Sequence, residues 1–152
     1  MRHALRNSKA GMTLVEVMVS TGIILISVLG ILYSYVKAIE LNAIGETSGI
    51  ALRAVKDKVE EIKAYSFSNI SAHYNNTTFT VAGLNGKGAI YVTTPNVSTH
   101  LIQVKVVYCW TIPGGKVIGE DRNLNGILDA GEDANGNGQL DSYVQIVTQI
   151  YG

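Results

Sequence analysis

After a short mixed segment holding Arg2, Arg6 and Lys9, the chain loses all charge, and no Asp, Glu, Lys or Arg occurs from Val17 to Val36. A run of about 20 apolar residues makes a helix about 30 Å long, the thickness of a bilayer's hydrocarbon layer. One carboxylate, Glu16, stands at its mouth. An ionisable group at membrane depth is costly without a partner, so this position marks function rather than filler. Beyond the run, Leu41, Ile44, Ser48, Leu52, Val55, Val59 and Ile62 recur at steps of three and four, the stripe of an amphipathic helix. Lys37, Glu40, Lys58, Glu61 and Lys63 mark wetter faces, and Arg53–Asp57 and Lys56–Glu60 are spaced as i,i+4 pairs. No proline falls between Thr13 and Ala64, which predicts one helix of about 50 residues, or about 75 Å. Within it, Gly22 is expected at a close helix contact, and Gly30 is left open.

The period changes after Tyr65. Ser66 to Asn76 is rich in Ser, Asn and His and reads as a loop. Thr77 to Ala82 and Ala89 to Thr94 read as short strands joined by the glycine-rich turn Gly83 to Gly88. Leu101 to Ile112 is the clearest strand: Ile102, Val104, Val106, Tyr108, Trp110 and Ile112 fall on one face, with Gln103, Lys105, Cys109 and Thr111 on the other. That alternation predicts an antiparallel sheet covered on one side only. Lys116 to Gly119 and Ser142 to Tyr151 complete a sheet of four or five strands. The fold class is therefore α+β, a long N-terminal helix packed on a small antiparallel sheet.

A second motif lies between the last two strands. Asp121, Asn123, Asn125, Gly126 and Glu132 fit the calcium-loop pattern D-x-[DN]-x-[DN]-G-x5-E at every specified position. Calcium takes six to eight hard oxygen ligands. Asp121, Asn123 and Asn125 offer side-chain oxygens on alternate residues, the Ile127 carbonyl points inward past the glycine, Asp129 reaches directly or through water, and Glu132 closes the far side. A copy follows at a period of twelve: Asp133, Asn135, Asn137, Gln139 and Asp141 form a candidate second metal set. Its closing position is Val144, so that loop is incomplete unless Asp141 or a residue from elsewhere completes it. The tandem resembles the Asp/Asn-Gly calcium repeats of bacterial surface proteins and thrombospondin type 3 segments. The competing reading is an Asx-Gly surface turn without metal. Against it, Glu120, Asp121, Asp129, Glu132, Asp133 and Asp141 hold six of the twelve acids, with Arg122 the one base among them. The asparagines lower the ligand charge and imply affinity in the range of about 10⁻⁴–10⁻³ M.

The N-terminus carries a family resemblance. Gly11 followed by Met12-Thr13-Leu14-Val15-Glu16-Val17-Met18-Val19 resembles the processing site of the type IV pilin superfamily. The resemblance implies that prepilin peptidase cuts between Gly11 and Met12 and methylates the Met12 amine. Glu16 then neutralises the Met12 amine of a neighbouring subunit. It also implies a leader over 1–11, a transmembrane and filament-core helix over 12–36, and a globular domain over 37–152 that includes the calcium loop region 120–141. Methionine at position 12, where major pilins carry phenylalanine, is a departure familiar from minor pilins and pseudopilins. The expected protein is a minor pilin, with a type II secretion pseudopilin as the alternative. Its partners are other pilin or pseudopilin subunits, and it is held in the inner membrane with its globular domain in the periplasm before filament assembly.

Composition narrows the choice. Removing Arg2, Arg6 and Lys9 with the leader leaves nine bases against twelve acids, a net of −3, which gives no basic footprint for nucleic acid. A single cysteine, Cys109, permits no intrachain disulfide, so calcium is the expected staple. His73 and His100 are isolated and expected to be solvated. No nucleophile–base pair or phosphate loop points to an enzyme. A calcium-dependent surface adhesin or ligand-binding module on an uncleaved membrane anchor is the reading from another class.

Overall fold

The structure, a computed structural model, describes residues 11–96 and 100–152. Arg2, Arg6 and Lys9 of the expected leader lie outside the described residues. Contacts divide the chain into two units between Ile39 and Glu40.

The first unit is the leading part of α1, which runs from Leu14 to Lys63. Thr13 caps it: its hydroxyl accepts the Glu16 amide at 3.2 Å and its carbonyl accepts the Val17 amide. Thr13-x-x-Glu16 is the spacing of a capping box. Apolar side chains along this segment are exposed, Leu14, Ile26 and Ile31 among them. Three of its hydroxyls bond inward, with Thr21, Ser27 and Ser34 donating to the carbonyls of Val17, Ile23 and Gly30 at 2.8–2.9 Å, which suits those side chains to a hydrocarbon surrounding. A Cβ at Gly22 or Gly30 would meet nothing within 4 Å among the described residues, so the close contact expected of Gly22 has no partner among them.

In the second unit, the rest of α1 buries Ala51, Val55, Val59 and Ile62. The stripe is slightly rotated from the predicted one: Ala51 takes the core position, and Leu41 and Leu52 are exposed. Lys58–Glu61 and Lys63–Glu60 form ion pairs three residues apart, and the expected pairs at four are not among the ion pairs of the described residues. Ser66 to Asn76 is not a loop. Phe67–Tyr74 forms helix α2, because Phe67, Ile70 and Tyr74 share one face and the last two are buried. His73 belongs to this helix and stacks on Tyr65 at 4.9 Å.

Five antiparallel strands follow: β1 Thr77–Phe79, β2 Gly86–Asn96, β3 Leu101–Thr111, β4 Val117–Ile118 and β5 Val144–Tyr151. β3 is central. It pairs with β2 on one side, and with β5 (Leu101↔Tyr151 to Tyr108↔Val144) and β4 on the other. Gly86 and Gly88 lie inside β2 rather than in a turn. A Cβ at Gly86 would strike the Cys109 carbonyl, and one at Gly88 would enter the Phe79 ring, so these glycines serve close strand packing.

One face of β3 meets the helices as predicted. Trp110 is fully buried, and its indole N–H donates to the Thr47 hydroxyl on α1 at 3.0 Å. The other face departs from prediction, since Lys105, Val107 and Cys109 are also buried, at 7%, 0% and 1% exposure. Ala89, Val107, Cys109 and Leu140 form a second small core, with Leu124 and Leu128 packed on it. Those leucines belong to the Asp/Asn-Gly segment. The sheet is therefore covered on both faces, by helices on one and by the tandem loops on the other.

Candidate functional site

The first loop is organised by its acids. Asp121 is completely buried. One of its carboxylate oxygens accepts the Asn125 amide at 3.1 Å and the other the Gly126 amide at 2.7 Å. Asn123 Oδ1 accepts the Asn125 amide, and Asn125 Oδ1 accepts the Ile127 amide. Glu132 reaches back across the turn, its Oε1 taking the Arg122 amide at 2.8 Å and its Oε2 the Asp129 amide at 3.1 Å. The side-chain amides of Asn123 and Asn125 both donate to Asp129 Oδ2 at 2.7 Å. Gly126 is needed twice over: its φ is +81°, and a Cβ there would strike the Thr78 methyl at 2.6 Å.

Among the described residues, no three His, Cys, Asp or Glu side chains converge as a ready metal cage. Asp121 and Glu132 spend their oxygens on backbone amides. A cation here needs the asparagine oxygens as well. The atoms closing on Asp129 are the amide ends of Asn123 and Asn125, and rotating those amides by 180° would present oxygen there only by giving up the bonds that their oxygens accept from the Asn125 and Ile127 amides. The five side chains the sequence singled out are thus brought into one turn, with hard oxygen donors on each, and the donor set fits calcium chemistry.

Burial raises the Asp121 carboxyl above its ordinary value, and the neighbouring Glu132 charge adds to this, outweighing the amide hydrogen bonds that lower it. Two carboxylates confined in one dry turn repel, and a cation relieves that repulsion.

The second loop repeats most of the first loop's hydrogen bonds. Asp133 accepts the Gly136, Asn137 and Gly138 amides at 2.7, 3.1 and 2.8 Å. The Asn135 and Asn137 side chains donate to Asp141 Oδ2 at 2.7 and 2.6 Å. Asn137 Oδ1 accepts the Gln139 amide. The absent closing glutamate comes from elsewhere. Glu120 accepts the Ala134 amide at 3.2 Å on one oxygen and the Asp141 amide at 2.9 Å on the other, the positions that correspond, twelve residues earlier, to Arg122 and Asp129 on Glu132. Glu120 itself stands one period before Glu132, a spacing legible in the sequence and missed there.

The other residue missed is Lys105. Its ammonium lies 2.6 Å from Asp141 Oδ1, with side-chain exposures of 8% and 21%. Burial by itself would raise the Asp141 carboxyl, but the hydrogen bonds from Lys105, Asn135 and Asn137 win and hold it below its ordinary 3.8. A depressed folded pKa contributes stability above the unfolded value that disappears as pH falls through the folded one. The stability advantage of the wild type over Asp141→Asn should therefore be complete above about pH 5 and vanish in stronger acid, as followed by urea titration across pH. An advantage that grew on acidification would contradict the pairing.

At the other end of the chain, Gly11, Met12 and Glu16 lie at the exposed start of α1, Glu16 in its first turn. Lys37 stands over the Tyr33 ring at 6.0 Å at the far end of the uncharged run, the pairing of aromatic and base expected at a bilayer interface. The helix is long and apolar enough to cross a membrane. In comparison with known proteins, residues 6–32 match the prokaryotic N-terminal methylation motif. No curated protein and no solved structure matches the chain.

Proposed function

We propose that this chain, which carries a type IV pilin-like methylation signal, is a minor pilin: a structural subunit anchored in the inner membrane by α1, processed by prepilin peptidase and packed into a pilus-like filament. The observation that carries the reading is the registration of Gly11, Met12 and Glu16 at the head of one helix that stays uncharged to Val36. The exposed apolar side chains of that helix have no cover within the described chain, and lipid or neighbouring subunits supply it. In this role Glu16 meets the Met12 amine of the next subunit. The globular domain lies in the periplasm until assembly.

Calcium belongs to the proposal. The first loop, through Asp121, Asn123, Asn125, the Ile127 carbonyl, Asp129 and Glu132, would hold the ion. What supports this is the full match to the loop pattern, the donors gathered in one turn, and the lack of any disulfide, with Cys109 buried and unpaired. The loops cover the second face of β3, so closing them secures the domain as a disulfide would.

Mass analysis of membrane-extracted protein tests the processing. A chain beginning at Met12 with a methylated amine is expected. A chain that keeps Arg2 to Gly11 in cells with active prepilin peptidase would overturn the reading.

A further inference from the structure

The two loops share most of their hydrogen bonds but differ at the aspartate that gathers the asparagine amides. Asp129 of the first loop receives the two asparagine amides and, among the described residues, no cation. Asp141, its counterpart, receives the same two amides and the Lys105 ammonium as well. Lys105 is carried by β3, 36 residues away in sequence, and is itself 7% exposed. A long lysine buried to its tip beneath a loop is costly unless its charge is matched.

We infer that Lys105 is a tethered cation that holds the second loop closed without metal, through its single ion pair with Asp141. The contrast with the first loop rests on the calcium reading above; the role of Lys105 does not. The chemistry is consistent on both sides of the pair. Each loop gathers three acids, Asp121, Asp129 and Glu132 in one, and Asp133, Asp141 and Glu120 in the other. An ammonium at 2.6 Å cancels one charge of the second set and fixes Asp141 Oδ1 in place, leaving Oδ2 to gather the Asn135 and Asn137 amides. Glu120 then ties the start and end of the loop together through the Ala134 and Asp141 amides. Because Lys105 sits on the central strand, the loop is clamped to the sheet rather than merely folded on itself. The tandem would thus have one arm that responds to calcium and one that is always shut. The domain would keep part of its cover over β3 in calcium-poor surroundings.

Amide hydrogen exchange on the full chain in detergent, with chelator and then with millimolar calcium, tests this. In chelator the Gly138 and Asp141 amides of the wild type should be protected, and the Gly126 and Asp129 amides should exchange faster and become protected when calcium is added. Lys105→Met should raise exchange at Gly138 and Asp141 in chelator on the order of a hundredfold, while the Val106 amide of the sheet stays protected. Where Lys105→Met loses the sheet as well, Asp141→Asn, which keeps the volume, gives the same readout. Free exchange at Gly138 and Asp141 in the wild type in chelator, or unchanged protection there in the variants, overturns the inference. If calcium leaves Gly126 and Asp129 unmoved, the calcium reading fails, and the variants still decide the role of Lys105.

Discussion

Replacing Glu16 by alanine should leave the chain in the membrane and stop it entering filaments. Insertion depends on the uncharged run from Val17 to Val36, and removing a carboxylate from its mouth only lowers the cost of burial. Assembly is different. In an apolar filament core the methylated Met12 amine keeps its positive charge, and a buried charge stripped of its partner costs several kcal/mol, about 3–5 by analogy with buried ion pairs broken on one side. That is enough to reduce incorporation by two orders of magnitude or more. Glu16→Gln separates charge from size: the amide keeps the shape and hydrogen-bonding capacity but cannot neutralise the amine, so it should fail nearly as badly. The helix start should survive both changes. It is capped by the Thr13 hydroxyl and carbonyl acting on backbone amides, and the Glu16 side chain is not needed for that. Immunoblots of sheared filaments against membrane fractions measure the outcome, and wild-type incorporation of the alanine variant would remove the pairing role.

Calcium should raise the melting temperature of the full chain in detergent by roughly 5–10 °C at a free concentration of 100 times Kd, the equivalent of about 2.7 kcal/mol when only the folded state binds. Magnesium should do less, because it demands a smaller octahedral cage and gives up water reluctantly. Asp121→Ala is the sharpest variant. It should abolish the calcium gain, and it should also cost about 1–3 kcal/mol in chelator, because the Asn125 and Gly126 amides lose their buried acceptor. Glu132→Gln should weaken the gain and loosen the Arg122 and Asp129 amides. The two effects are separable, since the loss in chelator reports the hydrogen bonds alone. A wild-type melting curve that does not move with millimolar calcium, together with a silent calorimetric titration, would end the calcium proposal.

Much of the fold was legible because local period and local burial agree. The uncharged run, the absence of proline and the stripe through Val55, Val59 and Ile62 predicted α1 nearly to its ends. The alternation from Ile102 to Trp110 predicted β3 and its helix-facing side. The Asp121-to-Glu132 pattern marked the residues that build the first loop, because all of them lie within one short turn. Two local signals were misread. Ser66 to Asn76 was judged by its polar composition, although Phe67, Ile70 and Tyr74 carry a helical period. Gly86 and Gly88 were assigned to a turn, although their role is to let Phe79 and the β3 backbone approach β2.

What the sequence by itself determined is therefore the anchor, the register of Gly11, Met12 and Glu16 at its head, and the existence of two loops at a period of twelve. Tertiary structure decided what each loop touches. Alternation along β3 reports that its two faces differ, but it says nothing of what lies over the second face. Lys105 reads as a solvated charge until Leu124, Leu128 and Leu140 bring the loops down on it. The pairing of Lys105 with Asp141, and of Glu120 with the Ala134 and Asp141 amides, joins positions 14 to 36 residues apart. Such contacts are chosen by how the whole chain closes, because only a folded sheet puts a buried ammonium and a carboxylate within hydrogen-bond reach and makes each the remedy for the other's lost water.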